Sequence, residues 1–591
     1  MLQRAMAMLI LGWGVAGAAP AVSDLRAAYR SGQVFLTWTE AAVPPGTTFS
    51  VYLSRAPILD EAGLAAARRV GEGIEPHSAE DWTRDKGNYG KGRAKDPKTG
   101  QRPEPAAPVG FIIEPGGARL DPTSGLHVHT VGADDEGAFH YAVTTVLEGR
   151  EDRTLVGGMN TLATPVSQER APVQPIWQGP GDPPAPQAGQ GKPLYLQLHA
   201  KGNRAACSYI VFGDANQAWR AGIAFMFDVV TTADRVTLMA SDTMYVGRAF
   251  PRAPEAGSEV CGIWTFWYGC SDRIATPAAI DAGTPTNYTE RRLLFMIDWV
   301  KAHLGTDPER TYCVGSSMGG CGAMSFAFRH PEIFAAVSAH VPIVAYNEGD
   351  PAKGQALGWH DNTFRLRPFC GPLSLTCSDG MPLAERLDAT AFVLAHSEDL
   401  PFLFLAHGRQ DTSIPWHNNP PLYRALQAMR HGCAVAWNDG THPEVDGLLP
   451  TDVRKASTEG MARFALKRSY PAFSRASHDS DPGNGDNTDG DTVGFINRGL
   501  TWADPVETPT RYEVLISCVA DAVALPLAVD VTPRRCQAFR LAPGQACTAV
   551  NTDAAGGVIQ SLRLEAEGHG RVTFPGFQLT HPQGNRLVLT R

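Results

Sequence analysis

A chain of 591 residues, 43% apolar and 19% charged, has the make-up of an ordinary folded protein, long enough for three or four domains with sizeable cores. The net charge of −9 is modest for this size, and no Lys/Arg block is long enough to form a nucleic-acid footprint, so that class is set aside. Beyond the N-terminus no stretch is long and apolar enough for a membrane span.

The first residues read as an export signal: Arg4 gives the positive start, Ala5 to Val15 the apolar core and Ala16-Gly17-Ala18 the small-residue cleavage site. A signal at 1–18 makes the expected protein secreted or periplasmic. Eleven cysteines suit an oxidising compartment. Cys261/Cys270, Cys370/Cys377 and Cys536/Cys547 are close enough to clip loops, although spacing alone leaves the connectivity open.

From 19 to 167 the signals are β. Gln33 to Trp38, Thr48 to Leu53 and His127 to Val131 alternate, and Ala138 to Val146 is a longer run, with turns rich in Gly, Pro and Asp between them. Trp38 early and Tyr141 late resemble a fibronectin III or immunoglobulin-like sandwich, with Tyr141 as a corner tyrosine. The polar stretch at about 72–108 interrupts this pattern and reads as an inserted loop or lid. Residues 168–192 are dense in Pro, Gly and Gln, as in an extended linker.

Strands then alternate with helices over 193–469, which argues a parallel α/β sheet. Strand candidates are Leu194 to His199, Arg235 to Ala240, Thr311 to Val314, Ala335 to Ser338, Phe402 to Ala406 and Ala434 to Trp437, with an edge element at Cys207 to Phe212. Between them, Leu293, Met296, Ile297, Val300 and Leu304 form one stripe of a helix with Thr289 as its N-cap, and Pro421 to Met429 forms another helix. Over 470–591 the pattern returns to short strands: Tyr512 to Cys518, Leu525 to Val531, Ile559 to Glu567, Arg571 to Phe574 and Arg586 to Thr590. A small C-terminal β-sandwich is expected.

The strand Thr311 to Val314 runs into Gly315-Ser316-Ser317-Met318-Gly319 and then into helix, the context of a nucleophile elbow. Such a turn needs near side-chain-free flanks at Gly315 and Gly319, while Gly320 and Gly322 let the helix approach the sheet. A serine hydroxyl needs a base and a group to orient that base. Asp411 follows one strand, in His407-Gly408-Arg409-Gln410-Asp411, and His442 follows the next, in Gly440-Thr441-His442-Pro443. Other candidate bases are His407, His417 and His330, and other acids Asp399 and Asp439. An oxyanion needs two N–H donors. Met318 at the helix start is one, and the loop His199-Ala200-Lys201-Gly202 holds the other, at Ala200 or Lys201.

On Gly315 to Gly320, His407-Gly408 with Asp411 and Pro415, and Gly440 to Pro443, the chain resembles the α/β-hydrolase superfamily. Within it, it is similar to secreted esterases of the feruloyl esterase and polyhydroxyalkanoate depolymerase type. The resemblance covers less than half of the chain. It implies hydrolysis of a carboxylic ester through an acyl-serine intermediate, without a cofactor, and leaves acid and alcohol unidentified.

Trp264, Phe266, Trp267 and Tyr268 lie in a loop bracketed by Cys261 and Cys270 and offer flat faces for an aromatic, sugar or polymer segment; the alternative is that Trp264 and Phe266 turn inward as core. Trp416 is a second candidate wall. Asp479, Asp481, Asp486, Asp489 and Asp491 form either a solvated acidic linker or a structural calcium loop without EF-hand spacing. The expectation is an α/β-hydrolase domain between two β-domains, acting as a secreted serine carboxylesterase on a bulky or polymeric ester. A prolyl-oligopeptidase-type peptidase and a non-catalytic surface-binding protein are the rival readings.

Overall fold

The computed structural model describes residues 21–83, 107–199, 208–212, 224–245, 262–274, 277–346, 366–519 and 522–591. The expected signal at 1–18, most of the insertion at 72–108, and Ala200 and Lys201 lie outside the described residues. The chain forms two compact units, one running to Asp81 and resuming through Ile176, the other holding Trp177–Val211 and Ala224–Arg591. No helix among the described residues is long and apolar enough to cross a membrane.

The first unit is built from antiparallel strands. Val22–Arg30, Gln33–Glu40 and Gly125–Thr130 form one sheet. A second sheet runs in the order Arg68–Ile74, Thr48–Ser54, Gly137–Leu147, Arg150–Asp152, with Val166–Gln168 beside Gly137–Leu147. Alternating residues of both sheets, among them Trp38, Phe49, Val51, Tyr141 and Val143, share one core. The Tyr141 hydroxyl donates to the Gln168 side-chain oxygen at 2.7 Å, rather than to the backbone as a corner tyrosine does.

In the second unit six parallel strands lie in the order Val236–Ala240, Leu194–Leu198, Thr311–Ser316, Ala336–His340, Phe402–Gly408, Cys433–Asn438. Antiparallel Ala224–Thr231 flanks one side and antiparallel Gly494–Ile496 the other. The helix Tyr288–Leu304 buries the stripe Leu293, Met296, Ile297, Val300 and Leu304. Its N-cap is Asn287, not Thr289, whose hydroxyl lies inside the first turn against Thr265 and accepts from Arg292 at 2.8 Å. This parallel sheet with helical crossovers and an elbow at its centre is the α/β-hydrolase arrangement. The C-terminal region adds a three-stranded and a six-stranded antiparallel sheet around their own core. One of its strands is Phe574–Leu579, beginning where the sequence reading of Arg571 to Phe574 ends, and Ala546–Thr552 is a strand the alternation did not reveal.

Nine cysteines are described and none of them forms a disulfide, so the proposed Cys370/Cys377 and Cys536/Cys547 clips are not formed; Cys261 lies outside the described residues.

His127, on the strand Gly125–Thr130, is fully buried with neither ring nitrogen hydrogen-bonded. Burial, reinforced by the neighbouring His129, pushes its pKa down to about 3. The folded state therefore keeps this ring neutral where the unfolded chain takes up a proton. Stability is complete above pH 6.5 and falls as pH drops from there toward 3, by up to about 1.4 kcal/mol per pH unit for this one group. Urea unfolding followed across that range is expected to show the slope in the native protein and a shallower one in His127→Leu.

Candidate active site

The strand Thr311–Ser316 turns into the helix Met318–Arg329 through one residue, Ser317, held at φ 55° and ψ −126°. A left-handed backbone at a serine is strained. It persists because both sides of the turn are bonded: Ser317 N–H donates to His340 O at 2.9 Å, and Ser317 O accepts from Cys321 N–H at 2.9 Å. A Cβ on Gly315 would lie 2.1 Å from Gly319 O, and one on Gly319 would lie 2.0 Å from Leu198 O, so neither position tolerates a side chain. The amide of Met318 is a first-turn N–H with no acceptor inside its own helix.

Two further strands bring the other groups to the same end of the sheet. Ser317 Oγ donates to His442 Nε2 at 2.8 Å, and His442 Nδ1 donates to Asp411 Oδ2 at 2.6 Å. The carboxylate accepts only, so it places the imidazole proton on Nδ1 and leaves Nε2 as the acceptor that faces the serine. Asp411 has a fully buried side chain whose other oxygen accepts from the N–H groups of Ser413 and Ile414, each at 2.8 Å. Burial alone raises its pKa, but the His442 bond, the Ile414 amide and the charges of His407 and His442 outweigh it and hold the carboxyl below its ordinary value. His442 keeps 24% of its side chain exposed, enough for a substrate to approach.

The rival groups are engaged elsewhere. His407 is fully buried with Nδ1 on Gly408 O, and burial pushes its pKa down to about 4. His330 faces Glu332, Asp399 pairs with Arg534, and Asp439 accepts from Gln410. Of the proposed oxyanion donors only Met318 is described.

The aromatic residues divide. Trp264 and Phe266 are half-buried. Tyr268 is not a wall: it is buried with Cys321, Ile343 and Tyr346 in an apolar cluster beside the elbow helix, and Phe266 packs against that cluster. Trp267 is not a wall: its ring is buried against Gly322, which accounts for that glycine through a side chain rather than through the sheet. Trp416 is not a wall either, being 1% exposed and packed on Trp437, Tyr423 and His407 beneath the acid loop. The turn through Phe266 (φ 50°) and Trp267 (φ 64°) is held by buried Asp242, which accepts from Thr265 N–H at 2.8 Å and Trp267 N–H at 3.3 Å. Burial drives the Asp242 carboxyl up to about 7 against the opposing Thr265 hydroxyl bond and the Arg292 charge.

The acidic loop holds a cation of its own chain. The Arg409 guanidinium, two residues before Asp411 and 2% exposed, donates to the carbonyls of Asp486, Asn487, Asp489, Gly490 and Asp491. The aspartate side chains point to local amides instead: Asp481 to Gly483, Asp486 to Thr488, Asp489 to Asn484, Asp491 to Asp481, and Asp479 to Asn497 and Ala476. Among the described residues no group of three or more His, Cys, Asp or Glu side chains is placed to hold a metal ion. Sequence reasoning passed over Arg409, although an arginine beside the candidate acid and a neutral-backbone-rich loop downstream were both visible. It also passed over Asn438, which accepts from Gly440 N–H and donates to Val445 O, fixing the loop that carries His442.

Residues 269–430, which include Ser317 and Asp411 and stop short of His442, match the family model Esterase, described as "Putative esterase". No curated protein matches the chain. Among solved structures the chain is similar to an S-formylglutathione hydrolase from Agrobacterium tumefaciens, at 16% identity over 43% of this chain and 79% of that one, with TM-score 0.28. It is also similar to a ferulic acid esterase (13% identity, 43% and 79% covered, TM-score 0.26). A third is Thermogutta terrifontis esterase 2 (14% identity, 46% and 84% covered, TM-score 0.26).

Arg409→Met leaves five carbonyls without their donor and is expected to cost about 3 kcal/mol or more in urea unfolding. Because the cation in the loop is the guanidinium, excess EDTA is expected to leave the melting temperature of the native protein unchanged, as scanning calorimetry will show.

Proposed function

We propose that the chain is a secreted serine carboxylesterase in which Ser317 is the nucleophile, His442 the general base and Asp411 the residue that orients the base. The observation that carries this reading is the unbroken line of bonds from Ser317 Oγ through His442 to Asp411, at 2.8 and 2.6 Å. His442 takes the serine proton as Oγ attacks the ester carbonyl, and Asp411 stabilises the imidazolium that forms. The oxyanion of the tetrahedral intermediate is held by the Met318 amide at the helix start, with a second donor from the loop at Ala200 and Lys201. His442 then hands its proton to the leaving alcohol. Water, activated by the same imidazole, releases the acid from Ser317.

The two β-rich flanks support a bulky or polymeric ester, with the N-terminal sheets read as a fibronectin III-like module.

Turnover of p-nitrophenyl butyrate by the whole protein is the test. Ser317→Ala is expected to remove it, and Asp411→Asn to lower kcat about 10⁴-fold with the fold unchanged by circular dichroism. Turnover retained in Ser317→Ala transfers the role to another serine.

A further inference from the structure

A second histidine–carboxylate pair stands beside the nucleophile. His340 is the last residue of the strand Ala336–His340 and lies opposite Ser316 in the parallel register; its carbonyl is the acceptor for Ser317 N–H. Its Nδ1 lies 2.5 Å from Asp446 Oδ1. Asp446 belongs to the short helix Val445–Leu448 that follows His442, and its carboxyl is held below its ordinary value first by the His340 bond, against partial burial, with the charges of His340 and His442 adding to the effect. The pair is thus electrostatically in reach of His442, at the end of the sheet where the serine sits.

The geometry also settles which nitrogen is free. A carboxylate only accepts, so the bond to Asp446 puts the proton of the neutral ring on Nδ1 and leaves a lone pair on Nε2. Among the described residues Nε2 has no protein partner and is not a buried atom, and 18% of the His340 side chain is exposed. A buried polar network would have closed this valence internally. Here an oriented acceptor is left open one strand away from the nucleophile.

We propose that His340, held in this tautomer by Asp446, is a specificity-determining residue whose Nε2 accepts a hydrogen bond from a hydroxyl on the ester substrate. The proposal rests on the esterase reading above and narrows it. The favoured esters carry a free hydroxyl near the scissile bond, on the acyl or on the alcohol side: a partially acylated sugar, a hydroxy-acid ester or a phenolic acid ester. Plain alkyl esters lack the donor and leave the acceptor facing water.

The test uses the whole protein and matched pairs that differ by one hydroxyl: methyl 3-hydroxybutyrate against methyl butyrate, methyl ferulate against methyl 3,4-dimethoxycinnamate, and 2-hydroxyethyl acetate against ethyl acetate. The readout is the ratio of kcat/KM within each pair. At least one pair is expected to favour the hydroxylated member about fivefold to tenfold, the effect of one neutral hydrogen bond. In His340→Phe that ratio is expected to fall to about one, and in His340→Gln, whose Oε1 still accepts, to recover in part. A residue that merely ties the His442 loop to the strand would slow both members alike and leave the ratio as it was; that result, or ratios near one for every pair in the native protein, overturns the proposal. Absence of any Ser317-dependent turnover would instead overturn the esterase reading.

Discussion

The constraint on which the rest of this structure depends is the bent backbone at Ser317. A single residue at φ 55° and ψ −126° lifts the hydroxyl clear of both the strand it ends and the helix it starts. That conformation costs roughly 1–3 kcal/mol in a non-glycine residue. The sheet offsets it: the His340 carbonyl holds the amide, Leu198 leaves space only for a glycine at 319, and Gly315 leaves the return path open. The same bend starts the helix at Met318, whose amide has no acceptor inside that helix. Strand order then does the remaining work, since the two strands after Ala336–His340 deliver Asp411 and His442 from neighbouring loops.

The C-terminal region belongs to the same compact unit as the parallel sheet, and its contacts explain why. Arg409 reaches into the carbonyl-lined loop at 486–491, and Trp437 Nε1 donates to Asp491 O at 2.7 Å. Gly494–Ile496 then pairs with the strand that precedes His442. On the opposite side Arg534 pairs with Asp399 at 2.7 Å, and Arg535 donates to Phe334 O at 2.9 Å. Guanidinium groups suit this task, because several fixed donors can satisfy several loop carbonyls at once. The loop that carries Asp411 is therefore set partly by residues some eighty positions downstream.

Features governed by local sequence were legible and features governed by distant partners were not. The elbow, the helix stripe from Leu293 to Leu304 and the parallel strands could be read because their signals are periodic or lie within a few residues. The spacing that puts Asp411 and His442 each just past a strand was equally local. The antiparallel strand Ala224–Thr231 escaped because its apolar run does not alternate, and Gly494–Ile496 because three residues carry no period. Trp267 and Trp416 looked like exposed walls, since aromatic density says nothing about which way a ring faces. The partner of the loop at 479–491 was not legible either, because the guanidinium that reaches its carbonyls comes from residue 409. His340 could not be singled out at all until Asp446, 106 positions away, lay beside it.

The most direct measurement is the site of covalent capture. Treating the native protein with a fluorophosphonate and mapping the adduct by peptide mass spectrometry is expected to place a single phosphonyl group on the peptide carrying residue 317, with labelling suppressed when His442 is replaced by alanine. No adduct at all, or an adduct on a different serine, contradicts the convergence of these three side chains into a working site.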